Sequence, residues 1–367
     1  MKNTLRKSFL LRQFFLTMAL TALVVGGAFA QRVGDTVQVF GDTYTVESVS
    51  GNRVTLVKPE QQARADNPVN WTAVASSPFG TSPVLGVAFG NNTWVAVGGG
   101  TDRNDAGKIA YSADGRTWTL ASQTIFGNNQ SINAVAYANN MFIAGGAKIA
   151  TSTDGRTWTE VSSPLQHGIT GIAFGGGRWV IVADRGQTAY STDGRAWTTV
   201  AANNVFSTAA VGLVHGVAYG NNRFVVVGAR ESRIGYSPNG AAWTAVADST
   251  FGIGTVRGIA FGGNRWVSVG TQGKMAYSAD GATWTAVTAA NNPLSGSGGV
   301  TINGVGFGNN RYVAVGDSGK MAYSADGAAW TAVANSTFGT SNINAIAYGS
   351  GRFVTGGADG KIAYSDW

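Results

Sequence analysis

The chain has 367 residues, a formal charge of +7, only 12% charged residues, 53 glycines and no cysteine. Lack of cysteine excludes a disulfide framework and thiolate metal sites, so stability must come from burial, which a chain of this length can supply. Abundant glycine with few charges suits tight turns between closely stacked strands, not helices.

Lys2, Arg6, Lys7 and Arg12 precede an apolar run from Phe14 to Val25, and Ala28-Phe29-Ala30 supplies small residues before Gln31. This predicts a secretory signal peptide over 1–30, cut after about Ala30. The run is short for a bilayer-spanning anchor. The leader holds four positive residues and no acidic one, so the mature chain carries +3 and not the full +7. The basic balance is thus poor support for nucleic acid. The expectation is an exported protein, periplasmic or secreted, with no membrane span in the mature chain.

Residues 31–58 predict a small three-stranded β segment: Thr36–Phe40, Thr43–Val46 and Val54–Val57, with turns at Gly41-Asp42 and Ser50-Gly51-Asn52. Polar residues 59–69 read as a linker.

From residue 70 to the end one unit recurs seven times. Its markers are Ser112, Ser152, Ser191, Ser237, Ser278, Ser324 and Ser365, 39 to 46 residues apart. The sixth copy is the clearest. It runs Ile302–Phe307, Arg311–Val315, Lys320–Ser324 and Ala328–Val333, with turns rich in Gly, Asn and Asp between the runs. Four short strands, A to D, at this period predict an all-β, seven-bladed β-propeller over 70–367. The middle of strand A stays small (Ala88, Ala136, Ala173, Ala218, Ala260, Gly306, Ala347), as crowding around an axis requires. One tryptophan per copy (Trp118, Trp158, Trp197, Trp243, Trp284, Trp330) reads as inter-blade filler on strand D. The seventh copy stops before its strand D, while Asn70–Val74 is a strand D without a blade. Residues 70–75 are therefore expected to pair with 360–365 and close the ring, removing two open sheet edges.

The C–D turn reads Ser112-Ala113-Asp114-Gly115-Arg116-Thr117-Trp118, Ser152-Thr153-Asp154-Gly155-Arg156-Thr157-Trp158 and Ser278-Ala279-Asp280-Gly281-Ala282-Thr283-Trp284. This resembles the Asp-box, or BNR, repeat of sialidase-like and several non-enzymatic propellers, with one residue fewer between Asp and Gly than that family usually has. The resemblance implies a structural hairpin away from any active site, for Asp114, Asp154, Asp193, Asn239, Asp280 and Asp326. Independently, an Asp or Asn side chain can accept from backbone N–H groups in such a turn.

A sialidase-like hydrolase, the enzyme reading, would need an arginine cluster, a tyrosine nucleophile and carboxylates. The Arg-Ile-Pro element is absent, and Arg178, Arg223, Arg265, Arg311 and Arg352 recur at one repeat position, the start of strand B. Only four glutamates occur, Glu47, Glu60, Glu160 and Glu231, none of them repeated. His167 and His215 are too few to hold a metal, and Gly316–Gly319 and Gly357–Gly360 offer too few oxygens for calcium. No catalytic residue, metal or cofactor is expected.

Strand alternation puts the A–B and C–D turns on one face and the B–C turns and D–A crossovers on the other. The second face varies more, above all at 201–213 and 288–301, and is the expected recognition face. Three rings stand there. Leu85, Asn133, Thr170, His215, Arg257, Asn303 and Asn344 precede strand A at the channel mouth. Lys108, Lys148, Gln187, Arg233, Lys274, Lys320 and Lys361 open strand C, and Phe79, Phe126, Phe206, Phe251 and Phe338 lie in crossovers. The expected function is non-catalytic binding of a protein or surface glycan of the cell envelope or exterior. An Asp-box glycoside hydrolase and a multivalent lectin are the rivals.

Overall fold

The computed structural model describes residues 36–39, 42–50, 53–57, 70–123, 125–200, 205, 213–229, 234–296 and 299–366. The leader 1–30, the linker 59–69, Phe40, Glu60, Phe206, Glu231 and Arg233 lie outside these. The chain forms two compact units, 1–67 and 68–367.

In the first unit β1 (Thr36–Val39), β2 (Asp42–Ser50) and β3 (Arg53–Val57) make an antiparallel sheet in that order. The middle strand is longer than the sequence predicts. A register shift between Val46 and Ser48 absorbs one residue, so pairing resumes at Ser48↔Thr55 instead of ending at Val46.

The second unit is a seven-bladed propeller of four-stranded antiparallel sheets. Blade 1 runs Val84–Gly90, Thr93–Gly99, Gly107–Ser112 and Thr119–Leu120 for strands A to D. The other blades repeat it around the axis, strand A innermost. The A–B hairpins turn on paired left-handed residues, Asn91 and Asn92 (φ 45° and 54°), Asn139 and Asn140 (47° and 58°) and Asn309 and Asn310 (47° and 55°). Such turns match the right-handed twist of the strands they join, and asparagine tolerates the conformation.

Each core lies between neighbouring blades. Val87, Trp94 and Ala110 of blade 1 pack with Ala345, Val354 and Ile362 of blade 7, and six similar clusters follow around the ring. Closure is as expected. The strand β4 (Asn70–Ala73) pairs with Ile362–Asp366 in the register Ala73↔Ala363, Thr72↔Tyr364, Trp71↔Ser365, and the Val74 amide donates to the Ile362 carbonyl at 2.9 Å. Trp71 is thereby buried with Val313, Phe338 and Phe353.

In blades 1 to 6 the repeated tryptophan stands immediately before strand D, not within it as expected, whereas Trp71 lies inside β4. Strand D is only two or three residues long, starting at Thr119, Thr159, Thr198, Thr244, Thr285 and Thr331, so the indole belongs to the C–D turn. Its side-chain N–H explains the placement: Trp118 donates to the Gly115 carbonyl at 3.1 Å, and Trp158, Trp243, Trp284 and Trp330 repeat the bond. Trp197 does not, and nothing in the structure explains the exception.

Candidate functional site

The two faces of the ring are built differently. On the C–D side the conserved spacing produces one bond set. The Ser112 hydroxyl accepts from the Gly115 amide (2.8 Å) and donates to Asp114 Oδ1 (2.9 Å), which also accepts from the Arg116 and Thr117 amides (2.8 Å each). Asp154, Asp193, Asp280 and Asp326 repeat it, and Asn239 reproduces it with its amide oxygen at 2.9 and 3.1 Å. Because Asn239 serves, a neutral acceptor oxygen is enough to form the turn. Asp280→Asn keeps an acceptor and is expected to cost less than Asp280→Ala, which strands two amides and costs about 1–2 kcal/mol. Urea denaturation of the two variants separates the cases.

These carboxyls titrate low. For Asp114, burial acts to raise the pKa, but the Thr117 and Arg116 amides and the Ser112 hydroxyl together hold it below its ordinary 3.8. Asp154, Asp280 and Asp326 follow the same balance, and in exposed Asp193 the Arg195 amide leads. A folded pKa below the unfolded one stabilises fully above the unfolded value and is lost as pH falls through the folded value. The melting temperature should therefore be insensitive to these groups between pH ~7 and ~5 and fall below pH ~4.

This face is also cross-stitched between blades. Arg178 Nη1 donates to the Asn239 carbonyl (2.9 Å), Asn91 Nδ2 to Thr153 (3.2 Å) and Arg265 Nη1 to Asp326 (2.6 Å). The strand-B arginines lie over strand-C tyrosines, Arg178 over Tyr190 at 5.0 Å and Arg265 over Tyr277 at 4.8 Å. Their recurrence is explained by this stacking.

On the opposite face the seven channel-ring residues share one backbone feature. In every blade the A–B ladder skips one residue: Leu85, Asn133, Thr170, His215, Arg257, Asn303 and Asn344. A bulge leaves its residue out of the ladder and re-aims the side chain. The position before strand A that varies between copies, while its immediate neighbours barely do, is thus the bulged one. Five of the seven, Leu85, Thr170, His215, Arg257 and Asn344, line an axial cavity of about 200 Å³ whose walls are otherwise the small and apolar residues of the A strands.

The ring divides by what its side chains do. Asn133, Asn303 and Asn344 each donate Nδ2 at 3.1 Å to the first carbonyl of the next blade's strand A, at Ile169, Ile343 and Val84. Asn303 also donates to Asp317 (2.9 Å). Thr170 donates to Val182 in its own blade (3.4 Å). His215 and Arg257 sit side by side in blades 4 and 5, and neither has a hydrogen bond or ion pair among the described residues. Burial, with the Arg257 guanidinium second, pushes the His215 pKa down to about 4, so its imidazole is neutral near pH 7.

The basic circle is less uniform than the sequence suggests. Lys108, Lys274 and Lys361 reach into their own crossovers and donate to the carbonyls of Phe79 (3.2 Å), Phe251 (2.8 Å) and Phe338 (3.0 Å), whose rings are buried. Lys108 also bonds Ser82 and pairs with Asp105 (3.1 Å), and Lys361 bonds Ser341 (2.8 Å). Lys148 pairs with Glu160 (3.0 Å), and Lys320 is exposed. A sequence signal for these caps existed. The three blades with a capping lysine are those whose crossover reads Ser-x-Phe-Gly: 77–80, 249–252 and 336–339. Around the mouth, Asp184 on the blade 3 B–C turn has its carboxyl raised by burial, against the pull of His167 and Arg185. Among the described residues no cluster of His, Cys, Asp or Glu could hold a metal ion. No described helix is long and apolar enough to cross a membrane.

The family model described as the DUF6242 beta propeller domain matches residues 67–203 and 193–361. The chain belongs to this β-propeller family. No curated protein matches its sequence. Among solved structures it is similar to YCF48 bound to D1 peptide, at 19% identity and a TM-score of 0.63 over 82% of this chain and 96% of that one. It is also similar to a streptogramin B lyase (12%, 0.63, 82% and 98%) and to the WD40 propeller domain of Doa1 (12%, 0.58, 81% and 97%). At these identities the likeness is one of fold. The same fold thus carries a peptide binder and a lyase, and function has to be argued from this chain's own site.

Proposed function

We propose that this DUF6242 propeller is an exported, non-catalytic binding module that engages a protein, or a surface glycan, of the cell envelope or exterior. Its binding face is that of the B–C turns and D–A crossovers, centred on the channel mouth. One observation carries the reading: in all seven blades the varied residue before strand A is the bulged one, outside the sheet hydrogen bonding, and five of the seven line a shared cavity. Scaffold residues repeat because packing dictates them. A position that varies while projecting from a uniform scaffold is suited to recognition.

Two further features support the same face. Two of the three exposed large apolar side chains among the described residues, Leu213 and Ile253 (95% accessible), lie in its crossovers. The other face has its turn carboxylates and several of its arginines tied into repeated structural bonds. Export rests on the leader pattern Lys2–Ala30, and the Ser-x-Asp-Gly-x-x-Trp turn is read as a shortened Asp-box. A photo-crosslinking residue at Leu213 or Ile253 should capture the partner from envelope extracts, and one at Thr117 or Thr157 should not. Capture from the Thr positions alone would reverse the assignment of faces. Glycan binding in several equivalent copies per chain would favour a lectin.

A further inference from the structure

We propose that His215 and Arg257 form a carboxylate-binding site at the channel mouth, an inference that rests on the recognition-face reading and gives it a ligand chemistry. Each of the other polar ring members is already hydrogen bonded: the three asparagines clamp the next blade and Thr170 bonds its own. His215 and Arg257 are adjacent, directed at the cavity by neighbouring bulges, and unbonded among the described residues. Among the described residues no acidic side chain lines the cavity, so none of them offers the Arg257 charge a counter-ion there.

The chemistry follows from this pair. A planar guanidinium matches a carboxylate through two parallel N–H···O bonds. A neutral imidazole beside it adds one donor without adding charge. The single exposed cation balances a monoanion, whereas a dianion such as phosphate would leave one charge without a partner among the lining residues, of which Val87, Val217, Val305 and Ile346 are apolar. Those walls suit the short apolar body that carries the carboxylate. The carboxylate can belong to a small acid or to the C-terminus of a chain entering along the axis.

Because the protein has only two histidines, selective isotope labelling of histidine in the full chain gives two resolvable rings, His215 at the site and His167 outside the cavity. Acetate and the tripeptide Gly-Ala-Ala should each shift the His215 signals saturably and leave His167 in place. The C-terminal amide of the tripeptide should not. Arg257→Gln should weaken the acid response at least tenfold while leaving the His167 signals in place, which guards against a folding defect, and Arg257→Lys should recover only part of the loss, because its ammonium keeps the charge but not the two parallel bonds. A tripeptide binding more than tenfold tighter than acetate assigns the site to a chain end, and equal binding assigns it to a small acid. The proposal is overturned by any of three results: acids no more effective than chloride at matched ionic strength, equal response to acid and amide, or phosphate binding more tightly than either acid. Such a result would leave the recognition face intact if Leu213 and Ile253 still capture a partner, so the two readings fail separately.

Discussion

Truncating Trp71 to alanine is expected to destabilise the propeller by about 3–5 kcal/mol, the range for removing a buried tryptophan. Trp71 sits in the four-residue strand β4, far in sequence from the blade it completes, and is 7% exposed. Trp118 and Trp330, with the same exposure, occupy the matching place in complete blades. If β4 closes the ring as firmly as an ordinary strand D, Trp71→Ala and Trp118→Ala will lower the urea midpoint by similar amounts. A near-neutral Trp71→Ala would mean that the seventh blade is held by its inner three strands. A chain starting at Ser76 should fare worse, since it also leaves the outer edge of Ile362–Asp366 unpaired and open to association.

A second large effect is expected at Gly262. The last residue of strand A lies under an aromatic ring of the next blade, and a Cβ there would stand 2.0 Å from Cγ of Phe307. The same overlap recurs at Gly90 with Tyr137, Gly175 with Tyr219 and Gly308 with Tyr348. Gly262→Val must push the ring or the strand aside, at about 3 kcal/mol, the upper part of the usual overpacking range. Phe307→Leu in the same chain should recover part of that loss. The coupling in a double-mutant cycle measures the contact directly, apart from any change in the backbone preference of residue 262.

The fold was legible because each blade is a local unit whose strands and turns are written in adjacent residues. Closure was legible because Asn70–Val74 and the interrupted seventh copy are complementary fragments. Less visible was anything decided by a single hydrogen bond. The step from strand to turn at Trp118 depends on where its indole N–H finds an acceptor, and a two-residue strand D carries no periodicity to mark it. The lysine caps depend on reach across the blade, so the circle of basic residues reads as one class although Lys108, Lys148 and Lys320 sit in three different surroundings. The channel ring was legible as a position but not as a bulge, because a skipped residue leaves no compositional mark. Its split into clamps and open groups follows from the reach of the asparagine amide to the next blade's first carbonyl, which leucine, histidine and arginine do not reproduce.

The bulge also separates two demands that usually conflict. A residue excluded from the ladder and facing an axial hollow can change size, charge or polarity while the sheet around it keeps every bond. Leu85, Thr170, His215 and Arg257 are thus a small dial mounted on a fixed frame. Selection, or a library randomised at these four codons, could retune what enters the axis while the melting temperature hardly moves.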